Sequence, residues 1–273
     1  MSNYFIGIMT GTSADSLDGC IVDFKKNVDL IETAQIELGS EYKDKYEECI
    51  RLGFKEVNES ADLMEVEKTL NKKTIDLIET LIDKSRISRK SISLIALSGQ
   101  TIFHTYEKSY QIGNSQQIAD MTGINVCSNF RNFDIQQGGM GAPLIPAFHK
   151  YLYAENNKNK LIFNIGGISN GTYLKGDQIV IASDVGPGNC LIDMFIKKHF
   201  NLPFDFDGKI ASDGTLNDTL INKLLMDTKN MSYPRADDKN DYYKLIDKNF
   251  LEMPPKDIIL SLIHISEPRD VLR

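Results

Sequence analysis

No stretch of the 273 residues approaches the roughly 20 consecutive apolar positions that a bilayer-crossing helix takes, so a membrane-spanning reading is excluded first. Basic residues are also in short supply. There are 31 Lys and Arg against 38 Asp and Glu, for a net charge of −7. They are scattered in solvated clusters such as Lys158-Asn159-Lys160 and Lys197-Lys198. Nucleic-acid surfaces need a basic patch, and none is present. Cysteine is scarce: Cys20, Cys49, Cys127 and Cys190 stand far apart in apolar or helical settings. They read as buried free thiols of a reducing cytosol rather than a disulfide framework. His104, His149, His199 and His264 show no metal-ligand spacing, which argues against zinc. Met1-Ser2-Asn3-Tyr4 lacks a basic n-region, so no signal peptide is expected and the expected compartment is the cytoplasm. What remains is an ordinary globular composition, long enough for one large domain or two of usual size.

The most informative stretch that is there runs Ile181-Ala182-Ser183-Asp184-Val185-Gly186-Pro187-Gly188-Asn189. An apolar run ends in a carboxylate, a glycine-rich turn follows, and Cys190 to Ile196 reads as a helix. That pattern predicts Asp184 at the carboxyl edge of a sheet, where open α/β sheets hold ligands. The glycines let a ligand approach the backbone. Asp184 is therefore the expected general base; the alternative is a turn-capping Asx residue.

A second stretch strengthens the first. Tyr4 to Met9 is a short apolar strand, Thr10 to Gly19 is a turn of small hydroxylated residues, and Cys20 to Phe24 is a strand again. Backbone N–H groups and the Thr and Ser hydroxyls of such a hairpin can donate to phosphate oxygens. Asp15 and Asp18 would repel phosphate but could hold Mg²⁺, directly or through water. No Gly-Lys-Ser/Thr and no helix follows, so this is not a P-loop. The alternative is a hairpin whose turn residues serve only the turn.

Along the chain, Asp29 to Leu38 alternates as a third strand and Tyr42 to Leu52 is helical. Leu63, Val66, Leu70, Leu77, Ile78 and Leu81 recur at helical spacing, which predicts a long amphipathic helix over 61–83 with Ser60 as N-cap. Ser93 to Leu97 is a buried strand leading into Ser98-Gly99-Gln100-Thr101. Residues 114–122 read as helix, 124–126 as extended, and 147–154 as helix. Leu161 to Ile165 is a strand ending in Gly166 to Gly171, followed by strands at Tyr173-Leu174 and Gln178 to Ile181. The strand, glycine turn, strand, strand unit near residue 4 thus recurs near 161. Two like α/β domains predict a nucleotide held by one hairpin from each half. Phe130 to His149 lies between the halves and is expected to be a shaped loop. Within it Arg131 and Asp134 either pair with each other or touch ligand.

In order and spacing, seven stretches resemble the anhydro-N-acetylmuramic acid kinase family. They are Ile6 to Gly19, Ser98 to Thr101, Gln111 to Asn114, Arg131 to His149, Asn164 to Asn170, Asp184 to Asn189 and Phe204 to Gly208. The resemblance implies an α/β fold of two ribonuclease-H-like domains, as in actin, Hsp70 and the sugar kinases. It places the first at 1–140 and the start of the second, left incomplete, at 141–256. It implies an enzyme that opens 1,6-anhydro-N-acetylmuramic acid with water and phosphorylates O6 from ATP with Mg²⁺, in cell-wall recycling. Asp184 is then the base that activates water. Gly11, Thr12, Ser13, Ala14, Asp15, Ser16, Leu17 and Asp18, with Gly166, Gly167 and Asn170, fall on the nucleotide side, Asp15 and Asp18 also on the metal. Gln100, Thr101, Arg131, Asp134, Gly186 and Asn189 fall on the sugar side. The implied partner is a small amino sugar, with no nucleic acid and no membrane; a homodimer is carried as an option.

Two positions depart from the family pattern: Ser16 where glycine is common, and Ser98 where a histidine usually precedes Gly99. After Met253-Pro254-Pro255-Lys256 the family would continue Ser-Thr-Gly-Arg-Glu; here residues 257–273 follow and are read as an artefactual tail foreign to the family. A C-terminally truncated chain is the expectation. Two alternatives stay open, a non-catalytic fragment of such a kinase and a related kinase for another sugar.

Overall fold

The computed structural model describes residues 4–11, 13–53, 60–105, 107–229, 232–237, 239–246 and 252–266. The chain divides into two compact units, 1–142 and 143–273.

The first unit begins with an antiparallel meander, β1 (Tyr4–Met9), β2 (Ser16–Asp23) and β3 (Asp29–Glu37). Helices α1 (Ser40–Leu52) and α2 (Ala61–Ser85) follow, then β4 (Ile92–Leu97), which lies parallel to β1 on its other edge. A hairpin of β5 (Gln100–His104) and β6 (Ser109–Ile112), helix α3 (Ser115–Thr122), the short β7 (Val126–Cys127) and α4 (Phe130–Gln136) complete it. The main sheet has the order β3-β2-β1-β4-β7.

The amphipathic stripe explains how α2 lies on this sheet. Leu63, Val66, Leu70, Leu77, Ile78 and Leu81 are all buried in one core with Ile6, Ile8, Leu17 and Ile95. Ser60 caps the helix through its hydroxyl, which accepts from the N–H groups of Asp62 and Leu63. Contact with β2 is close at Gly19, where a Cβ would come within 2.8 Å of the Leu81 side chain. The predicted elements over 42–52, 61–83, 93–97 and 114–122 are therefore present with small shifts of their ends.

The second unit starts with α5 (Pro146–Tyr153) and repeats the meander as β8 (Asn159–Ile165), β9 (Ile168–Lys175) and β10 (Gln178–Pro187). The order β10-β9-β8 matches β3-β2-β1. Helices α6 (Cys190–Phe200), α7 (Asp218–Lys229), α8 (Lys239–Leu245) and α9 (Pro255–Ser266) follow. Phe195, Ile196, Leu220, Leu224 and Tyr242 share a core with Ile258, Ile259 and Leu262 of α9. The Ser261 hydroxyl accepts the Asn217 N–H at 2.9 Å, and Asp257 accepts the Thr215 N–H at 2.7 Å. So the stretch from 257 to 266, read from sequence as a foreign tail, packs as a core helix. Residues 267–273 lie outside the described residues.

Further sequence expectations need correction. Residues 130–136 form helix α4 rather than loop. The hairpin β5–β6 is present where only a strand end was expected. The glycine turn at 166 is tighter than expected, because β9 already begins at Ile168. Of the four free thiols only Cys49 and Cys190 are buried; Cys127 is exposed.

Candidate functional site

The turn between β1 and β2 is built by local bonds. Ala14 donates its N–H to the Gly11 carbonyl at 3.1 Å and is held, fully buried, at φ +52°. A non-glycine residue in the left-handed region is unusual and such positions gather at functional turns. Gly11, Ser13 and Asp15 are exposed on this turn, whereas the Leu17 side chain belongs to the core. Thr12 lies outside the described residues.

Gln100 was expected on the sugar side, but it is fully buried and spends its amide on the turn. Its Oε1 accepts the Thr10 hydroxyl at 2.9 Å, and its Nε2 donates to the Gly11 carbonyl at 3.0 Å. Gln100 is thus a brace for the turn. Gln100→Leu removes both bonds to the turn, although the Gly11 carbonyl keeps the Ala14 N–H; an intramolecular hydrogen bond contributes about 0.5–1.5 kcal/mol. The expected result is a lower urea midpoint for the variant than for the parent.

The turn is shorter than the expected Thr10 to Gly19, because β2 already begins at Ser16; Asp15 lies on the turn, Asp18 lies within the strand, and the two have different partners. Asp15 pairs with Lys43 at 2.6 Å, with the Asp15 side chain mostly exposed and that of Lys43 partly so, so the pair adds little stability. Asp18 accepts from the Gln35 amide at 2.8 Å and from the Ser16 hydroxyl at 3.4 Å. Among the described residues no group of three or more His, Cys, Asp or Glu gathers as a metal cage. Asp18, with neutral donors only, also lines a cavity of about 790 Å³ with Met9, Cys20, Gln35, Ala96 and Ser98.

Arg131 and Asp134 stand one turn apart on α4 and form no ion pair with each other. Both grip Gly141 instead: Arg131 Nη1 donates to its carbonyl at 3.0 Å, and Asp134 Oδ2 accepts its N–H at 2.8 Å. Gly141 has φ +71°, and a Cβ there would meet the His104 ring at 2.9 Å. His104 is pushed below the usual imidazole range by burial and then by the Arg131 charge. Thr101, next to the brace, accepts the Tyr46 hydroxyl at its carbonyl, 2.6 Å away.

In the second unit the two glycine turns are stitched to each other. The Gly166 carbonyl accepts the Asn189 N–H at 2.7 Å, and the Gly167 carbonyl accepts from Gly188 and Cys190 at 3.0 Å each. Gly186 and Gly188 are buried, while Gly167 and Asn189 are exposed. Asn170 lies opposite Asp184 in the ladder of β9 and β10.

Asp184 itself sits inside β10 rather than at its end, at the point where the register with β9 slips between 184 and 186. Such bulges re-aim a side chain. One carboxylate oxygen, Oδ2, accepts the main-chain N–H of Asp237 at 2.8 Å. Burial raises the Asp184 carboxyl above the usual range, partly offset by that bond. Arg235 and Asp237 were not singled out in the sequence. Nothing local marks them, because they reach Asp184 from some fifty residues away.

This carboxylate, half-buried, at a bulge and beside stitched glycine turns, is the observation to set against known proteins. A sequence model of the anhydro-N-acetylmuramic acid kinase family matches residues 3–264. The chain belongs to that family. The match runs past position 257, into residues expected from the sequence to be foreign to the family. Relatives named anhydro-N-acetylmuramic acid kinase include one from Shewanella loihica (strain ATCC BAA-1088 / PV-4), 39% identical over 82% of this chain and 61% of its own. Another, from Shewanella frigidimarina (strain NCIMB 400), is 37% identical over 85% of this chain and 64% of its own. The chain thus spans about six tenths of the length of these relatives. Among solved structures, a Ppx/GppA phosphatase of Aquifex aeolicus is 14% identical with a TM-score of 0.40, over 96% of this chain and 89% of that one. Among the described residues no helix is long and apolar enough to cross a membrane.

Proposed function

We propose that the protein acts on 1,6-anhydro-N-acetylmuramic acid, a reading supported by relatives named anhydro-N-acetylmuramic acid kinase. The reaction opens the anhydro ring with water and phosphorylates O6 from ATP, giving N-acetylmuramate 6-phosphate for cell-wall recycling in the cytoplasm. Both units are read as ribonuclease-H-like domains of the actin, Hsp70 and sugar-kinase superfamily, a reading supported by the repeated three-stranded meander. The observation that carries the function is Asp184, held at a bulge with Oδ2 bonded and, among the described residues, no partner on the other oxygen.

Water is a weak nucleophile, so its attack on the anomeric carbon needs a base to take its proton. Asp184 takes that proton as the C1–O6 bond breaks, and the electron pair stays on O6. O6 then attacks the γ-phosphorus, and the β–γ bridging oxygen leaves with ADP. The exposed N–H groups and hydroxyl of the turn at Gly11, Ser13 and Asp15 bind and orient the phosphates. When bound, Mg²⁺ supplies charge neutralisation at those phosphates. Asp18 fits such an ion, most simply through a bound water, because its partners are neutral, whereas Asp15 is already matched by Lys43.

The test couples ADP formation to the anhydro sugar, with N-acetylmuramate and N-acetylglucosamine as comparison acceptors. ADP formed in step with the anhydro sugar alone supports the reading. Turnover of another sugar instead would make it a related kinase. The partial coverage of the relatives favours one other reading, a fragment that binds without turning over. Thermal melting with Mg-ATP separates it, since a ligand bound only by the native state raises the midpoint. The expected result is a midpoint that rises with Mg-ATP concentration; an unchanged midpoint together with no ADP release overturns the proposal.

A further inference from the structure

The segment 233–237 runs beside the bulge of β10 and is bonded to it at every second position, Tyr233, Arg235 and Asp237. Asp184 donates its main-chain N–H to the Arg235 carbonyl at 3.0 Å. Arg235 donates its own N–H to the Ser183 hydroxyl at 2.9 Å, and that hydroxyl donates to the Asp184 carbonyl at 2.7 Å. Tyr233 reaches the Val185 carbonyl with its hydroxyl at 3.3 Å, and the Arg235 guanidinium donates Nη2 to the same carbonyl. The N–H of Asp237 then closes on the Asp184 carboxylate.

The side chains of this segment are locked in turn. Arg235 Nε meets Asp237 Oδ2 at 2.8 Å, with the two side chains only 9% and 11% exposed. The Tyr242 hydroxyl donates to the same oxygen. The guanidinium lies over the Tyr233 ring, 4.6 Å from its centroid. One donor, Arg235 Nη1, is buried with no partner.

We propose that Arg235 and Asp237 are positioning residues for Asp184. They act as a clamp of one cation and one anion that aims its carboxylate and balances the charge around it. The inference rests on the reading of Asp184 as the base. The clamp fixes Oδ2 through the Asp237 N–H and leaves the other oxygen for the attacking water. Its two charges oppose each other at Asp184. Asp237 disfavours the ionised carboxylate and Arg235 favours it. Among the described residues these two are the charged groups that act on Asp184; Tyr233 and Tyr242 touch them, and Tyr242 is held neutral by burial and by the bond to Asp237.

The test is a pair of isosteric or near-isosteric variants in the full chain, read by the pH dependence of kcat/KM and by NMR titration of the Asp184 side-chain carboxyl carbon. Arg235→Met removes the favouring charge and leaves Asp237 facing Asp184. The acid limb and the NMR midpoint are expected to move up. Asp237→Asn removes the opposing charge and leaves Arg235, so both move down. In each variant kcat falls up to roughly 100-fold from misaimed attack while KM for ATP stays unchanged. A purely structural role predicts that both variants loosen the segment, wet Asp184 and shift it the same way. Shifts of the same sign, or none, overturn the proposal. Should Arg235→Met fail to fold, Arg235→Lys serves. It keeps the charge but not the fork that meets Val185 and Asp237 together, so kcat drops while the midpoint stays in place. A midpoint moved upward in Arg235→Lys, or an unchanged kcat, counts against the clamp. The NMR arm needs no substrate, so it decides the clamp even if the parent turns over no anhydro sugar, which would sink the kinase reading alone.

Discussion

Asp184→Asn is expected to reduce kcat by about 10³-fold, within the range that a positioned general base contributes, while leaving the protein folded and no less stable at neutral pH. Asparagine keeps the shape and can still accept the Asp237 N–H through its carbonyl oxygen. It cannot take a proton from water. The pH dependence follows from the direction of the Asp184 shift. Its carboxyl lies above the usual range because burial disfavours the charge. The base must be ionised, so activity falls as pH drops through that raised value. For stability the sign is the opposite of the common carboxylate case. Between the ordinary value and the raised one, the native state holds more of this proton than the unfolded chain does. Native stability therefore decreases as pH rises through that interval. The asparagine variant has no such proton. Its stability relative to the parent is expected to grow with pH across the interval and then level off. Denaturant melts of both proteins at several pH values check this. A variant that turned over as fast as its parent would remove Asp184 from the chemistry.

Gly188→Ala is the second large effect, expected to cost about 1–3 kcal/mol as an overpacked site and to suppress turnover as well. A Cβ at residue 188 would lie 2.2 Å from the Gly166 carbonyl oxygen and 3.1 Å from the Ser169 hydroxyl. The obstacle is backbone, which cannot swing aside as a long side chain can. Yet Gly166 is the carbonyl that accepts the Asn189 N–H, and Gly167 accepts from 188 and 190. One methyl group therefore pushes apart the two turns that frame Asp184. The midpoint of urea unfolding should fall, and kcat should fall with it. Gly176→Ala is the contrast: nothing lies within 4 Å of a Cβ there, although its φ of +61° still strains the backbone. It should lose some stability and keep its turnover. Equal losses of activity in both variants would argue that the stitched turns do not support the site.

Much of the scaffold was legible because it depends on short-range patterning. The α2 stripe at helical spacing and the Ser60 hydroxyl before it name a helix, its buried face and its start. The two meanders show as apolar runs broken by glycine, and the repeat between them follows from that spacing. Helix α4 was missed because its seven residues sit among glycines and prolines whose turn signal dominates any window drawn across them. The β5–β6 hairpin was missed because β5 is short and begins directly after a polar strand end at Ser98 and Gly99.

By itself the sequence determined the kinds of element, the repeated meander, the family and the candidate base, since each of these is written in residues close together along the chain. Tertiary structure decided what those residues touch. Packing turned Gln100 inward onto Thr10 and Gly11, set Arg131 and Asp134 on Gly141 rather than on each other, and brought Arg235 and Asp237 to Asp184. For Gln100 and Asp184 the physical reason is distance along the chain: a partner ninety or fifty positions away leaves no local period to read. Arg131 and Asp134 reach Gly141 only ten and seven positions on, but across a non-periodic turn, and burial leaves a polar group no choice but to find a partner.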